Sequence, residues 1–430
     1  MYKRQLYAKV LRSRYPHAKV LHIDTEAAQA HPGVIKVITA ADIPGAKNHG
    51  IVRQDWPVLA YDKVRYVGDA VAIVAAETEE IAEEALRLIE VDYEPLPVVA
   101  SPEAALAPDA PLIHERGNVL RYAEVRRGNV EAGFAEAEVI VENTYRTPFG
   151  EHGFLEPEAA VAVPDEEGNI TIYVGSQIPF ADRKQVAASL ALSEDKVRVV
   201  HMLTGGAFGG KEDIAGQIHA ALLAQATGRP VKLVYSRPES MRAHPKRHAT
   251  TITIKTGATR DGRIVAQQVK IVGDTGAYAS LGAQVMTRVA THAIGPYDVP
   301  NVRVDCYAVH TNNPPGGAFR GFGAPQAHFA VETQMDILAE KLGLSPFEIR
   351  RRNALRVGGT TATGQVLRES VGLLETIERV EEAVRRAEAE EERTVLPPHL
   401  RRGWGVACAY KNVGLGDGLP DSAGASVEVT

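Results

Sequence analysis

Apolar residues recur along the chain at two spacings, and the spacing divides it into units. Leu6-Tyr7-Ala8-Lys9-Val10, then Val20, Leu21 and Ile23, then Val34, Ile35, Val37 and Ile38, then Ala70 to Ala76, are short runs of buried-strand type. After Thr78, a residue suited to an N-cap, Ile81, Ala82, Ala85, Leu88 and Ile89 fall at helical spacing, and Val91 to Val99 returns to strand. Strands alternating with a helix predict a small α/β domain over residues 1–105. The Pro/Ala-rich stretch Ser101 to Pro111 is the expected linker.

A larger mixed α/β unit is predicted over 118–394, giving an α+β chain as a whole. Strands are expected at Ala137–Thr144, Ala159–Val163, Ile170–Val174 and Val197–Met202, with a hairpin made of Thr250–Ile254 and Ile264–Ile271. Helices are expected at Asp182–Leu192, Asp213–Thr227, Ala324–Lys341 and from about Ser370 to Glu391, where the charged run Ala387–Arg393 forms a solvated end. Ser345-Pro346-Phe347-Glu348 has the form of a capping box with proline at the first helical position. Pro397-Pro398 marks a further boundary, beyond which a third unit, 400–430, only begins. Leu6 follows the first residue closely, and Ala423 to Thr430 alternates as a strand does, so a partial chain is expected.

Composition narrows the class without choosing a chemistry. The 430 residues are 45% hydrophobic and 24% charged with a net charge of −6, ordinary for a globular protein, and give no reason to expect nucleic acid or a membrane as partner. No run of 18 apolar residues and no apolar leader is present, so a cytoplasmic location is expected. The two cysteines, Cys306 and Cys408, supply neither a disulfide framework nor the four thiolates of an iron–sulfur cluster.

Two glycine-rich loops carry the candidate chemistry. In the first, the β-branched run Val197 to Val200 leads into Gly205-Gly206-Ala207-Phe208-Gly209-Gly210-Lys211-Glu212, and helical spacing then starts at Asp213. Strand, glycine loop and helix bring main-chain amides and a helix N-terminus up to an anion. Gly205 and Gly210-Lys211 fit part of a nucleotide phosphate loop, yet Glu212 stands where a Ser or Thr would hold Mg²⁺, and a carboxylate there repels phosphate. The second loop, Asn312 to Gln326, places the bulky Arg320 and Phe322 among glycines ahead of a helix, which suits the lining of an aperture. Glu151-His152-Gly153-Phe154-Leu155-Glu156-Pro157-Glu158 has metal-ligand residue types but no i, i+4 histidine pair, and Pro157 breaks a helix; a polar loop beside a cofactor fits better. A G-x-S-x-G elbow and a dinucleotide fingerprint are both absent.

The paired loops, about a hundred residues apart, resemble those of the molybdenum hydroxylases, the xanthine dehydrogenase and aldehyde oxidase family, in its molybdopterin-binding subunit. Arg65-Tyr66-Val67-Gly68-Asp69-Ala70-Val71-Ala72, Glu151-His152 with Glu156-Pro157, and Asp274-Thr275-Gly276-Ala277-Tyr278 extend the likeness along nearly the whole chain. It implies a hammerhead-type N-terminal domain lacking its first strand, molybdopterin-binding domain 1 over 118–394, and the start of domain 2 over 400–430. Gln177 resembles the glutamine that hydrogen-bonds a ligand of molybdenum, with no direct protein ligand to the metal. Phe208 and Gly209 match main chain that contacts the pterin group, and Arg320 the arginine whose main chain faces the metal centre. Phe322 matches the ring on which a flat heterocycle stacks. Glu212 and Arg288, in Val285-Met286-Thr287-Arg288, resemble the catalytic pair of purine-oxidising members, where aldehyde-oxidising members carry apolar residues.

The resemblance further implies a molybdenum–molybdopterin cofactor, in its plain or cytosine dinucleotide form, with [2Fe-2S] and FAD on partner subunits. An N-heteroaromatic substrate, a xanthine- or hypoxanthine-type purine or nicotinate, would be hydroxylated with water as oxygen source. The alternatives are an aldehyde oxidoreductase subunit or a non-catalytic accessory subunit of the same fold. The family's active-site glutamate belongs to a C-terminal motif not found before Thr430. The expected partners are therefore an iron–sulfur subunit, an FAD subunit, and a second molybdopterin subunit or a missing C-terminal half. The length and the run Gly358 to Leu367 are similar to the large subunit of split nicotinate dehydrogenases.

Overall fold

The computed structural model describes residues 4–391, 397–414 and 424–428. Two sheets organise it. The first has seven strands in the order Val197–His201, Ile170–Val174, Ala159–Pro164, Val231–Val234, Leu6–Arg12, Ala70–Ala76 and Val34–Thr39. All seven residues of Ala70–Ala76 are buried, because both faces of this strand are covered. Ile73 and Ala75 join the core shared with the Gln217–Thr227 helix, while Ala72, Val74 and Ala76 pack on the opposite side with Ala82 and Ala85 of the Glu79–Arg87 helix. Thr78 caps that helix, its hydroxyl accepting from the Ile81 amide at 3.3 Å. The sheet takes strands from both sides of residue 105: Leu6–Arg12 pairs in parallel with Val231–Val234. The hammerhead-type unit thus shares a sheet with the larger unit.

The second sheet runs Val139–Thr147, Ala249–Ala258, Ile264–Gly276, Asn301–His310 and Val119–Arg127. Its central hairpin matches the expected one, with Thr250 opposite Gly273 and Ile254 opposite Val269. Asn301–His310 completes a parallel pair beside it, burying Val302, Val304, Cys306 and Ala308 while Arg303, Asp305 and Tyr307 alternate outward. The helices Gly282–His292 and Ala324–Leu342 close the apolar face, through Met286, Val289 and Ala290 on one and Ala327, Val331 and Met335 on the other.

Several expected bounds move. The first-loop helix starts at Gln217, four residues after Asp213, because Gly216 occupies the cap and the Gln217 carboxamide accepts from the Ala215 amide at 2.8 Å. The Asp182–Leu192 helix is Pro179–Ser189, since proline at the first turn lets it begin earlier. The strand expected from Val91 to Val99 stops at Pro95. Ser345 caps Pro346–Asn353 by accepting from the Glu348 amide at 3.0 Å, but the Glu348 carboxylate turns to Arg351 and Arg352 instead of closing a reciprocal box. The linker is ordered: Pro102–Ala105 is a short helix, and Val99, Ala105 and Ile113 pack on Val272 and Val309. Of the expected terminal strand, residues 424–428 are irregular and the remainder lie outside the described residues. Of the charged run Ala387–Arg393, the last two residues likewise fall outside them.

The stretch from Arg65 to Asp69 docks the N-terminal unit. Asp69 accepts from the Arg65 amide at 2.6 Å and from the Tyr278 hydroxyl at 2.9 Å, and Tyr66 donates to the Ala243 carbonyl at 2.9 Å. Asn312, at the foot of the second glycine loop, accepts from the Val99 amide at 2.9 Å and donates to the Arg65 carbonyl at 2.8 Å. These bonds fix the second loop against the rest of the fold.

Candidate cofactor site

The two loops form one body. The Arg320 amide donates to the Phe208 carbonyl at 2.9 Å. Gly209 has a φ of +100°, and a Cβ built on it would stand 2.8 Å from the Ala318 carbonyl group, so only glycine allows this approach. Phe208 at +54° and Phe322 at +46° also adopt left-handed backbone, which turns their flanking amides away from regular structure. Gln177 locks the first loop: its side-chain oxygen accepts from the amides of Gly209 at 2.9 Å and Lys211 at 3.3 Å. Its amide nitrogen is thereby directed elsewhere and is available to a bound group.

His152 reaches both loops from behind. Its Nε2 lies 2.8 Å from the Ala318 carbonyl, its ring stacks on Phe319 with centroids 4.1 Å apart, and a Cβ on Gly210 would come within about 3 Å of it. The neighbouring Glu156 accepts from the Gly205 amide. The polar segment Glu151–Glu158 is therefore the wall against which the loops are set. Sequence reading gave it no more than proximity. Arg247 was missed altogether: its guanidinium sits over the Phe319 ring at 3.9 Å and donates to the Arg320 carbonyl at 2.9 Å. Its only sequence signal is a basic residue in Lys246-Arg247-His248 just ahead of a strand.

The nucleotide-loop reading fails on Lys211. Its ammonium is buried, 3.4 Å from Glu156 and over the Phe154 ring, pointing into the protein and not toward the loop mouth. The helix N-terminus expected beside the first loop is also displaced to Gln217. At the second loop the expectation holds, because Gly323, with φ of +91°, caps the Ala324–Leu342 helix directly.

Phe322 packs with Leu281, Val285 and Ala318, and Gly323 sits so closely on Val285 and Val289 that a Cβ there would meet the Val285 carbonyl at 2.5 Å. Arg288 lies on the same helix, one turn beyond Val285, with its side chain buried and its Nη2 donating to the Gly414 carbonyl at 2.8 Å. Glu212 is held to the first loop by its amide, 3.4 Å from the Gly209 carbonyl. Burial, and then the neighbouring Asp213, push its carboxyl up to about 7. Burial likewise raises Asp213 to about 6, although its bond from the Ser280 hydroxyl at 2.7 Å opposes the shift. Gln177, Phe208, Gly209 and Arg320 are thus joined by direct bonds, while Phe322 packs on Val285, in the helix that carries Arg288.

Main-chain donors in left-handed loops, a carboxamide nitrogen left open, and the Arg247 guanidinium make a cradle suited to an anionic, oxygen- and sulfur-bearing group larger than phosphate. Residues 113–354 match the family model of the molybdopterin cofactor-binding domain, and residues 1–97 that of the aldehyde oxidase and xanthine dehydrogenase a/b hammerhead domain. The chain belongs to the aldehyde oxidase and xanthine dehydrogenase family, as a molybdopterin-binding subunit or part of one. It is 49% identical over 377 residues to the nicotinate dehydrogenase large molybdopterin subunit of Eubacterium barkeri, covering 88% of this chain and 89% of that one. It is 37% identical over 418 residues to the xanthine dehydrogenase molybdenum-binding subunit of Escherichia coli O157:H7, covering 94% of this chain and 55% of that one. The solved aldehyde oxidoreductase from Desulfovibrio gigas superposes with a TM-score of 0.88 at 33% identity, over 92% of this chain and 45% of that one. The chain thus spans most of the first relative and about half the length of the other two. Among the described residues, no helix is long and apolar enough to cross a membrane.

Proposed function

We propose that this chain is the molybdenum-cofactor subunit of an enzyme that hydroxylates an N-heteroaromatic ring, a xanthine- or hypoxanthine-type purine or nicotinate. What supports this reading is the packing of Phe322 on Val285, in the helix that also carries Arg288, together with the bond that joins the two loops and the position of Glu212 at the end of the first. Gln177, through its free carboxamide nitrogen, and the amides around Phe208, Gly209 and Arg320 would hold the molybdenum–pterin group. When bound, that group supplies oxygen transfer from water and two-electron redox chemistry. Phe322 offers a flat face to a planar ring. Arg288 stabilises negative charge that develops on the substrate's exocyclic oxygen. Glu212, titrating near neutrality, holds a proton at a ring nitrogen or releases it.

Electrons would leave through [2Fe-2S] and FAD on partner subunits. Leu155, Phe180 and Leu203, respectively 91%, 78% and 98% exposed, stand around the first loop. An apolar rim of this kind supports a second molybdopterin subunit, or a C-terminal continuation, covering the site. An aldehyde substrate is the second reading, supported by the likeness to the aldehyde oxidoreductase; the charged pair Glu212 and Arg288 speaks against it. The deciding experiment assays the assembled complex for hydroxylation of xanthine, hypoxanthine, nicotinate and an aldehyde, alongside its molybdenum content. Absence of molybdenum would leave only a non-catalytic accessory role, and turnover of the aldehyde alone would replace the heterocycle reading.

A further inference from the structure

Away from the loops, three ligand-type side chains meet where the two units join. Asp55 comes from the N-terminal unit, His114 from the segment just after the linker, and His310 from the end of the Asn301–His310 strand. One ligand atom from each lies within 4.8 Å of the other two. The histidine rings are 4.4 Å apart.

The outer bonds of both rings point the same way. His114 Nε2 is 2.6 Å from the Ala277 carbonyl, and His310 Nδ1 is 3.1 Å from the Gly276 carbonyl. A carbonyl only accepts, so each of these nitrogens carries the proton, and the other nitrogen of each ring presents a lone pair. This arrangement, one ring nitrogen anchored on a main-chain carbonyl and the other free, is how metal-binding histidines are oriented. His310 Nε2 is fully buried and has no hydrogen-bond partner. Asp55 takes two bonds from the Ala279 amide, at 3.2 and 3.3 Å, and no ion pair engages it among the described residues. Arg53 and Arg65 both act on Asp55 electrostatically, but Arg65 is committed to Asp62 and to the Ile113 carbonyl.

A second cluster shows what a satisfied site looks like. Glu151, His152 and His244 also come together, but Lys246 places its ammonium 2.8 Å from Glu151 and supplies the positive charge there. At Asp55 no ammonium or guanidinium comes within ion-pair distance among the described residues, although Arg53 and Arg65 act on it from farther away. A carboxylate without an ion pair and a buried imidazole nitrogen without a hydrogen-bond partner leave a position for a cation.

We propose that Asp55, His114 and His310 bind a divalent transition-metal ion of the zinc class, separate from the molybdenum group, which clips the N-terminal unit to the molybdopterin-binding unit. Two nitrogens and one carboxylate oxygen favour such an ion over calcium or magnesium. Metal–ligand distances near ~2.1 Å set tetrahedral ligand atoms about 3.4 Å apart, so the half-buried Asp55 and His114 need to close by roughly an ångström.

The test uses the full chain in its assembled complex, free of any histidine tag, stripped with chelator and then titrated with Zn²⁺ by calorimetry. Co²⁺ serves as a visible-absorption probe of the same position. One Zn²⁺ per chain beyond molybdenum is expected, with a rise in Tm. Asp55→Asn, which keeps the shape, and His310→Gln are each expected to weaken binding by about a hundredfold, whereas His399→Gln, at an exposed position, leaves it unchanged. If His310→Gln does not fold, Asp55→Asn decides. No saturable Zn²⁺ binding, or binding unaffected by Asp55→Asn, overturns the proposal. Binding lost with Glu151→Gln in place of Asp55→Asn would put the ion in the other cluster and overturn it equally.

Discussion

The Arg320 amide bonds the Phe208 carbonyl at 2.9 Å, joining two loops whose sequences lie more than a hundred residues apart. Each residue sits beside a left-handed position, and each loop is held elsewhere, the first by Gln177 and the second by Asn312 and Asn313. The cradle is therefore rigid before any cofactor arrives. Binding of a large anionic group to such preset donors does not require the loops to be ordered at the same time.

Gly209→Ala tests that rigidity. The added methyl would stand 2.8 Å from the Ala318 carbonyl group at a φ of +100°. Strain of about 1–3 kcal/mol is expected from the backbone alone, and the clash adds to it by parting the loops. Molybdenum and pterin content per chain should fall severely while the far sheet keeps its fold. Metal analysis beside circular dichroism checks this; full molybdenum content in the variant would contradict a shared cradle.

Glu212 supplies a pH signature. Its carboxyl is raised from 4.5 to about 7 in the folded chain by burial and by Asp213. A raised carboxyl stabilises the fold fully below the unfolded value, and that contribution is lost as pH climbs through the folded value. Subtracting the Tm curve of Glu212→Gln from that of the wild type should therefore give a difference that declines between about pH 4.5 and 7. A flat difference would show that the carboxyl titrates normally and has no special environment.

Much of this architecture could be read from the residues. Strands with strong alternation or continuous burial, such as Ala70–Ala76 and the Ala249–Gly276 hairpin, were visible because one face or both must be apolar. Asn301–His310 carries the same alternation, with Val302, Val304, Cys306 and Ala308 buried between Arg303, Asp305 and Tyr307, and is a strand beyond those expected from the sequence. Glycine runs and the bulky residues inside them marked both loops. Their mutual bond could not be seen, since no local pattern encodes which distant loop a carbonyl will meet. The same limit hid Arg247 and the meeting of Asp55, His114 and His310, whose chemistry exists only in the folded chain.

Phe322→Leu separates packing from stacking. Leucine can fill the space against Leu281, Val285 and Ala318, so molybdenum content and Tm should change little. Loss of the flat face should cost an offset-stacked ring about 0.5–1.5 kcal/mol, a rise of roughly two- to tenfold in KM for a planar heterocycle. An aldehyde substrate should not register the change. Equal effects on both substrates would make Phe322 a packing residue only.

Arg350 has the most deeply buried guanidinium of the described residues, with no exposed surface. It donates to Glu332 at 2.8 Å and Asp336 at 2.7 Å. Glu332 in turn accepts from the Tyr297 hydroxyl at 2.6 Å and the Cys408 amide at 2.8 Å, so one carboxylate ties two helices to the stretch beyond Pro397. Arg350→Met fills most of the volume but strands that carboxylate in the core, and a loss of about 3–5 kcal/mol is expected. Adding Glu332→Gln removes the stranded charge and keeps an acceptor for Tyr297, so the double variant should be more stable than Arg350→Met alone. The comparison isolates charge from packing because both variants share the same methionine. Denaturant unfolding of the three chains measures it. A double variant that is less stable than Arg350→Met would mean that the hydrogen bonds of Glu332, and not its unpaired charge, dominate at this junction.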